Sequence, residues 1–210
     1  MPEISAAAAW YPSDPVHGFE HVLRVLALAE RLALEEGADL EIVRAAVLLH
    51  DAHDPELGLG EREDHHHASA AFARRALQAE GWGEERIAAV EHCIRAHRFR
   101  DRREPPATLE AQVMFDADKL DAIGAIGVAR AVAYAARAGQ PFYAPVSAQF
   151  RRSGEAETGE PHSAYHEHIF KLDRIPERLF TAGARRIAAE RQAVLRAFFE
   201  RLGAEMQGQV

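Results

Sequence analysis

A chain of 210 residues, 48% hydrophobic and 28% charged, carries enough apolar material for the core of one ordinary domain without disulfide or metal staples. Its apolar runs fall far short of the ~20 residues that a membrane span requires, which excludes a transmembrane helix. A formal charge of -8 argues against long nucleic acid, whose binders gather basic excess on one face, yet leaves small phosphorylated molecules open as ligands.

From the N-terminus, MPEISAAAAWYPSDP has neither the basic leader nor the apolar core of a secretory signal, so a cytoplasmic location is expected. Asp14-Pro15 predicts an N-cap with proline at the first helical position, and Val16, Phe19, Val22, Leu23, Leu26 and Ala29 then recur at helical spacing to Gly37. This helix carries His21. Asp39 caps a second predicted helix, with Ile42, Val43, Ala46, Val47 and Leu49 on one side, which runs into His50-Asp51. Pro55, Gly58 and Gly60 predict a loop, Asp64 caps an alanine-rich helix to Glu80, and Gly81-Trp82-Gly83 separates it from the next.

That next helix places Ile87, Val90, Ile94 and His97 on related faces, and its neighbour Cys93, the lone cysteine, reads as a small buried apolar group. After Pro105-Pro106, Thr108 starts a helix that delivers Asp118 and leads into the small-residue stretch Ala122 to Gly127, suited to close backbone approach. Residues 139–159 read as a long loop, and helices at about 164–173 and 184–206 finish the chain. The expectation is an all-α fold, a compact single-domain helical bundle over 1–210, with its core at about 15–138 and a C-terminal loop and helices at about 139–206.

Twelve histidines are many for this length, and four residues stand out among the polar positions: His21, His50, Asp51 and Asp118. Imidazole nitrogens and carboxylate oxygens together suit a divalent metal, and four protein ligands leave positions open for water and substrate. Helical neighbours point about 100° apart, so His50 and Asp51 share one ion only near a helix end, where the sequence puts them. His21 and Asp118 lie on or beside apolar faces, where a carboxylate without a compensating charge is costly to bury. A His-Asp pair alone is common, and its bland reading is a satisfied polar surface.

The runs HGFEHVLRV, AAVLLHDAHD and FDADKLDAIGAIGVAR around these residues resemble the HD-domain superfamily of metal-dependent phosphohydrolases. The third run looks like a small bacterial subgroup with the pattern DAD-(R/K)-LDAIGAIG, and the likeness extends over roughly residues 15 to 200, including KL…IP…T…IA from Lys171 to Ala188. The resemblance implies the HD-type helical bundle and makes His21, His50, Asp51 and Asp118 the ligands of a divalent metal, with Asp116 and Asp121 outside the ligand set. Manganese is the first expectation, with iron, cobalt, magnesium, nickel or zinc as alternatives. Binuclear members add two histidines between the His-Asp pair and the last aspartate, an interval that here holds His65-His66-His67 and His97. In the subgroup the first of these positions is not reliably histidine, so one metal is expected, with His97 lining the substrate pocket.

Further roles follow from position. His53 and Asp54 stand close enough to the pair to orient a water or accept its proton, a task filled by an acidic residue in some HD enzymes. Arg24, one turn after His21, together with Lys119 and Lys171, are candidates to neutralise phosphate oxygens. Four residues before the lysine that matches Lys171, the subgroup tends to carry an aromatic-flanked histidine; here Glu167 stands between His166 and His168.

The implied activity is hydrolysis of a nucleotide phosphoanhydride by a metal-activated water, with a nucleoside or deoxynucleoside triphosphate cut to monophosphate and pyrophosphate. The alternatives are a nucleoside monophosphate or guanosine alarmone phosphohydrolase and, outside enzymes, a degenerate HD regulatory or ligand-binding module.

Overall fold

The computed structural model describes residues 2–14, 18–52, 65–98 and 103–210, and all regular structure among them is helical, as the periodicity predicts. The chain forms two compact units, one of Met1–Lys119 with Phe180–Ala184, the other of Leu120–Leu179 with Arg185–Val210.

The first unit contains α1 (Ile4–Ala7), α2 (Phe19–Glu36), α3 (Leu40–Leu49), α4 (His65–Ala79), α5 (Glu84–Ala96) and α6 (Leu109–Leu120), the last ending at the unit's border. Helix α1 and the 3-10 turn Ala8–Trp10 after it carry no periodic apolar face long enough to predict. Helix α2 begins at Phe19 with Gly18 as N-cap, four residues later than the Asp14-Pro15 signal implies. There the Gly18 amide donates to Asp14 O at 2.7 Å, and a Cβ on Gly18 would lie 2.3 Å from that oxygen; Pro15, the expected first helical residue, lies outside the described residues. Asp39 does cap α3, accepting from the amides of Glu41 at 3.0 Å and Ile42 at 3.2 Å.

Helix α3 lies against α2, α4 and α5 and is buried on more than the one predicted side, since Ala45 and Leu48 join Val43, Ala46, Val47 and Leu49 in the core. Val22, Val25 and Leu32 of α2, Leu77 of α4 and Ile87, Val90 and Ile94 of α5 are likewise withdrawn from water, the main favourable term in such packing. Arg74 of α4 adds a polar clamp to α5, donating to Glu91 Oε1 at 2.9 Å and Glu84 Oε2 at 2.6 Å. A buried apolar helix surrounded by three others gives His50, at its C-cap, a fixed place.

The second unit contains α7 (Gly124–Arg137), α8 (Ala148–Ser153), α9 (Ala164–Phe170) and most of α10 (Ala182–Met206). Helix α6 does not continue through Ala122 to Gly127. The backbone turns at 121–123, and Gly124, at φ +77°, opens α7. The small residues serve this turn: a Cβ on Gly124 would meet the Arg191 side chain at 3.0 Å, and one on Gly127 would meet Ala122 O at 2.3 Å. Arg191 in turn donates to Leu120 O at 2.6 Å. The stretch 139–159 is not wholly loop, because Ser147 caps the short α8 by accepting from the Phe150 amide at 3.0 Å. The predicted helix 164–173 stops at Phe170 and gives way to a 3-10 segment, Leu172–Arg178, that contains Pro176.

Candidate metal centre

Three helices of the first unit bring the candidate ligands together. His21 is the third residue of α2, His50 the C-cap of α3, Asp51 the next residue, and Asp118 lies near the end of α6. His21 Nε2 stands 3.4 Å from Asp118 Oδ1, and His50 Nε2 stands 3.6 Å from Asp51 Oδ2. One donor atom each from His21, His50 and Asp51 falls within a sphere in which all pairs lie within 4.8 Å. Donors bonded to one cation at ~2.0–2.2 Å span up to ~4.4 Å, so small side-chain movements close such a set around an ion.

The His50 ring shows how the site is prepared. Its Nδ1 lies 2.7 Å from Val47 O, so the Nδ1 proton is donated to that carbonyl and the Nε2 lone pair faces away from the helix. His50 Nε2 and Asp51 Oδ1 are both buried and have no hydrogen-bond partner, a costly arrangement for an imidazole nitrogen and a carboxylate oxygen. A coordinated cation satisfies both. The residues present therefore fit a divalent metal by donor type, spacing and polar need.

A second group adjoins the first through Asp51. His65 Nε2 is 3.4 Å and His97 Nε2 3.7 Å from Asp51 Oδ1, and these three residues again offer donor atoms within 4.8 Å of one another. His97 repeats the device of His50: it is the C-cap of its helix, and its Nδ1 lies 2.5 Å from Ile94 O three residues back. Of the three consecutive histidines, His65 faces Asp51, His66 is buried and His67 is exposed, a division that the run HHH does not reveal.

The charges respond to burial and to each other. Desolvation pushes the Asp51 carboxyl up, but the imidazoles gathered around it, His50 first and then His65 and His97, outweigh this and hold the group well below the usual carboxylate range. Asp118 is pushed up by desolvation and brought well below its ordinary value by the Lys119 ammonium and by His21. Burial drives His97 down to about 3, which keeps its ring neutral and its Nε2 free to accept or to ligate.

The remaining candidates divide. Lys119 pairs with Asp118 Oδ2 and lies 5.3 Å from the centroid of the Phe115 ring. Arg24 is half-buried one turn after His21, whereas Lys171 belongs to the second unit, where its Nζ is 3.8 Å from Glu167 Oε2. His53 and Asp54, like the predicted loop at Pro55 to Gly60 and the cap at Asp64, lie outside the described residues.

Asp116 and Asp121 are both buried and both occupied. Asp116 accepts from the Phe180 amide at 3.0 Å, the Thr181 amide at 2.7 Å and the Thr181 hydroxyl at 2.8 Å, while Asp121 takes Arg130 Nη1 at 2.6 Å. His166 is bonded to Ser163 Oγ at 2.7 Å and Glu160 Oε1 at 3.0 Å, and His168 stacks on Phe199 with centroids 4.5 Å apart, both within the second unit. Cys93 is buried, and burial pushes its thiol up, away from the reactive thiolate.

Residues 18–123 match the HD domain family, and the chain belongs to it. It is 34% identical to the Bacillus subtilis (strain 168) protein YpgQ over 195 residues, 91% of this chain and 85% of YpgQ. The crystal structure of YpgQ in complex with ADP superposes with a TM-score of 0.74 at 30% identity, covering 99% of this chain and 100% of that one. A crystal structure from Lactobacillus plantarum gives a TM-score of 0.77 at 31% identity, covering 98% and 95% of the two chains. An HD-superfamily hydrolase from Bacillus thuringiensis gives 0.72 at 25% identity, with the same coverage of 98% and 95%.

Two outcomes follow from this geometry. Asp118→Ala abolishes high-affinity metal binding, whereas Asp116→Ala retains it and instead costs about 2–3 kcal/mol of stability through the lost bonds to Phe180 and Thr181; metal titration and urea unfolding of both variants check the contrast, and the reverse pattern refutes it. For the metal-free protein, the folded value of His97, about 3, lies below the ordinary 6.5, so its contribution is complete above pH 6.5 and is lost as pH falls toward 3. Stability of chelator-treated wild type therefore falls between pH 6.5 and 4 more steeply than that of His97→Gln; equal slopes would contradict a buried neutral His97.

Proposed function

We propose that this chain is a metal-dependent phosphohydrolase that cleaves a nucleoside or deoxynucleoside triphosphate to the monophosphate and pyrophosphate. The observation that carries the reading is the convergence of His21, His50, Asp51 and Asp118, with a buried imidazole nitrogen and a buried carboxylate oxygen left without partners. A divalent cation held there, manganese first among the candidates and iron, cobalt, magnesium, nickel or zinc after it, acidifies water toward neutrality and offsets phosphoryl charge.

The chain's own residues supply the rest. His50, with its Nδ1 proton committed to Val47 O, keeps Nε2 as a lone-pair donor, and Asp51 and Asp118, held ionised, contribute negative charge that suits a cation. Lys119 is the positive group beside Asp118, and once a cation compensates that carboxylate, Lys119 and Arg24 are the groups to meet phosphate oxygens. His53 and Asp54 remain candidates for accepting the proton released by the attacking water. The binding of ADP by YpgQ supports a nucleotide as the class of substrate, in keeping with a small phosphorylated partner and a cytoplasmic setting.

A nucleoside monophosphate or guanosine alarmone requires only a differently shaped pocket around the same attack. A non-catalytic module is disfavoured on physical grounds, because a chain freed from metal chemistry has no need to hold these carboxylates and imidazoles together at such a desolvation cost.

A second reading concerns the number of ions. The grouping of Asp51, His65 and His97 favours a second cation that shares Asp51, which would move His97 from the substrate wall into the ligand set.

Protein stripped by chelator and restored with Mn2+ is expected to convert one or more of ATP, dATP, GTP and dGTP to monophosphate and pyrophosphate, identified by ion-exchange chromatography and phosphorus NMR. Orthophosphate as the sole inorganic product would redirect the reading to terminal-phosphate or monoester cleavage. Metal analysis distinguishes the two stoichiometries: the two-ion reading expects two equivalents per chain in wild type and one in His65→Ala, and a single equivalent in both would reject it.

A further inference from the structure

The end of α3 is the point on which both donor groups turn, since His50 caps the helix and Asp51 belongs to each group. The last carbonyls of a helix have no partners within it and must find others. Here Val47 O is taken by the His50 ring at 2.7 Å, and Leu49 O by the Ala52 amide at 3.3 Å. Ala52 O is fixed in turn by the Ser69 hydroxyl at 3.1 Å. Leu48 O, between them, accepts from a residue 37 positions earlier, the Tyr11 hydroxyl, at 3.0 Å.

We propose that Tyr11 is a positioning residue for the metal centre, its hydroxyl bonded to Leu48 O so that the end of α3 turns and Asp51 presents its carboxylate to the cation. This role rests on the metal reading above. The phenol donates its proton to Leu48 O in the last turn of α3, three residues before Asp51. Burial and the negative charge of Asp51 both raise the phenol above its ordinary value, so it keeps its proton and remains a donor.

Asp51 follows this helix end directly, and with no hydrogen-bond partner on its Oδ1 the placing of its carboxylate depends on where the end of α3 is held. The segment that delivers Tyr11 is itself anchored. Trp10 packs edge-on against Phe72 of α4, with ring centroids 5.2 Å apart, and the Tyr11 ring lies 5.5 Å from Phe19 of α2. These contacts hold the ring whether or not the hydroxyl is present, so removal of the oxygen alone separates positioning from packing.

The test is Tyr11→Phe in the full chain, titrated with Mn2+ by electron paramagnetic resonance of the free ion and loaded with Co2+ for its visible spectrum. The proposal expects a dissociation constant for Mn2+ raised about tenfold or more, together with a changed Co2+ spectrum, while the thermal unfolding of the metal-free variant stays close to wild type. A dissociation constant within about twofold of wild type and an unchanged Co2+ spectrum would overturn the role of Tyr11 and leave the metal reading standing. Failure of the wild-type protein itself to bind Mn2+ or Co2+ would overturn the metal reading and, with it, this one.

Discussion

Holding ionised carboxylates away from water is expensive unless positive charge or hydrogen bonds meet them, and this single requirement organises the first unit. Asp116, Asp118 and Asp51 are all withdrawn from solvent to some degree, and each meets the requirement differently. Asp116 is satisfied by two backbone amides and a hydroxyl, which makes it a structural clasp on residues 180–181. Asp118 is met by Lys119 and His21, and Asp51 by imidazoles whose contacts of 3.4–3.7 Å are too long for strong hydrogen bonds. Groups satisfied by the protein alone hold the fold, and groups left incomplete define where a cation belongs.

The same logic explains the acidic run around Asp118. Three aspartates in six residues look interchangeable as text, but on a helix Asp116 and Asp118 point about 200° apart, toward opposite neighbours. Asp121 lies beyond the end of α6 and is neutralised by Arg130, one of two arginines that fasten the turn into α7. The glycines that follow answer a steric demand: Gly124 needs a left-handed backbone and Gly127 a close approach to Ala122 O. One short motif thus combines a clasp, a candidate ligand and a turn, and its middle aspartate is the one that lies beside His21.

Periodic features were legible in the sequence because they depend on neighbours within one or two turns. The apolar spacing located α2, α3, α5 and α6, and Asp39 and Thr108 marked two helix starts through their own hydroxyl or carboxylate bonds. The grouping of His21, His50, Asp51 and Asp118 was approached by adding a resemblance to that periodicity, since no local rule brings residues 21 and 118 to 3.4 Å. What escaped depended on tertiary partners. The break before α7 follows from packing at Gly124, and the choice of His65 over its two neighbours from the phase of α4 relative to Asp51. Tyr11 left no signal at all, because its partner Leu48 O is a backbone atom, and a carbonyl is present at every residue.

Imidazole is a ligand only when its proton is on the other nitrogen, and the backbone decides that here by a local rule used twice. His50 and His97 are each the first residue past a helix, where the ring can turn back to a carbonyl three residues earlier, Val47 O in one case and Ile94 O in the other. Both rings are thereby committed to the same tautomer and the same outward Nε2, and their centroids lie 5.2 Å apart. A helix end thus does two things at once: it leaves a carbonyl in need of a donor, and it exposes a side chain free of the helical stack. Two such ends meeting at Asp51 require only packing between α3 and α5, which their apolar faces already provide. The chemistry of the centre is in this sense inherited from the helix packing, with the first unit's core fixing where the lone pairs point.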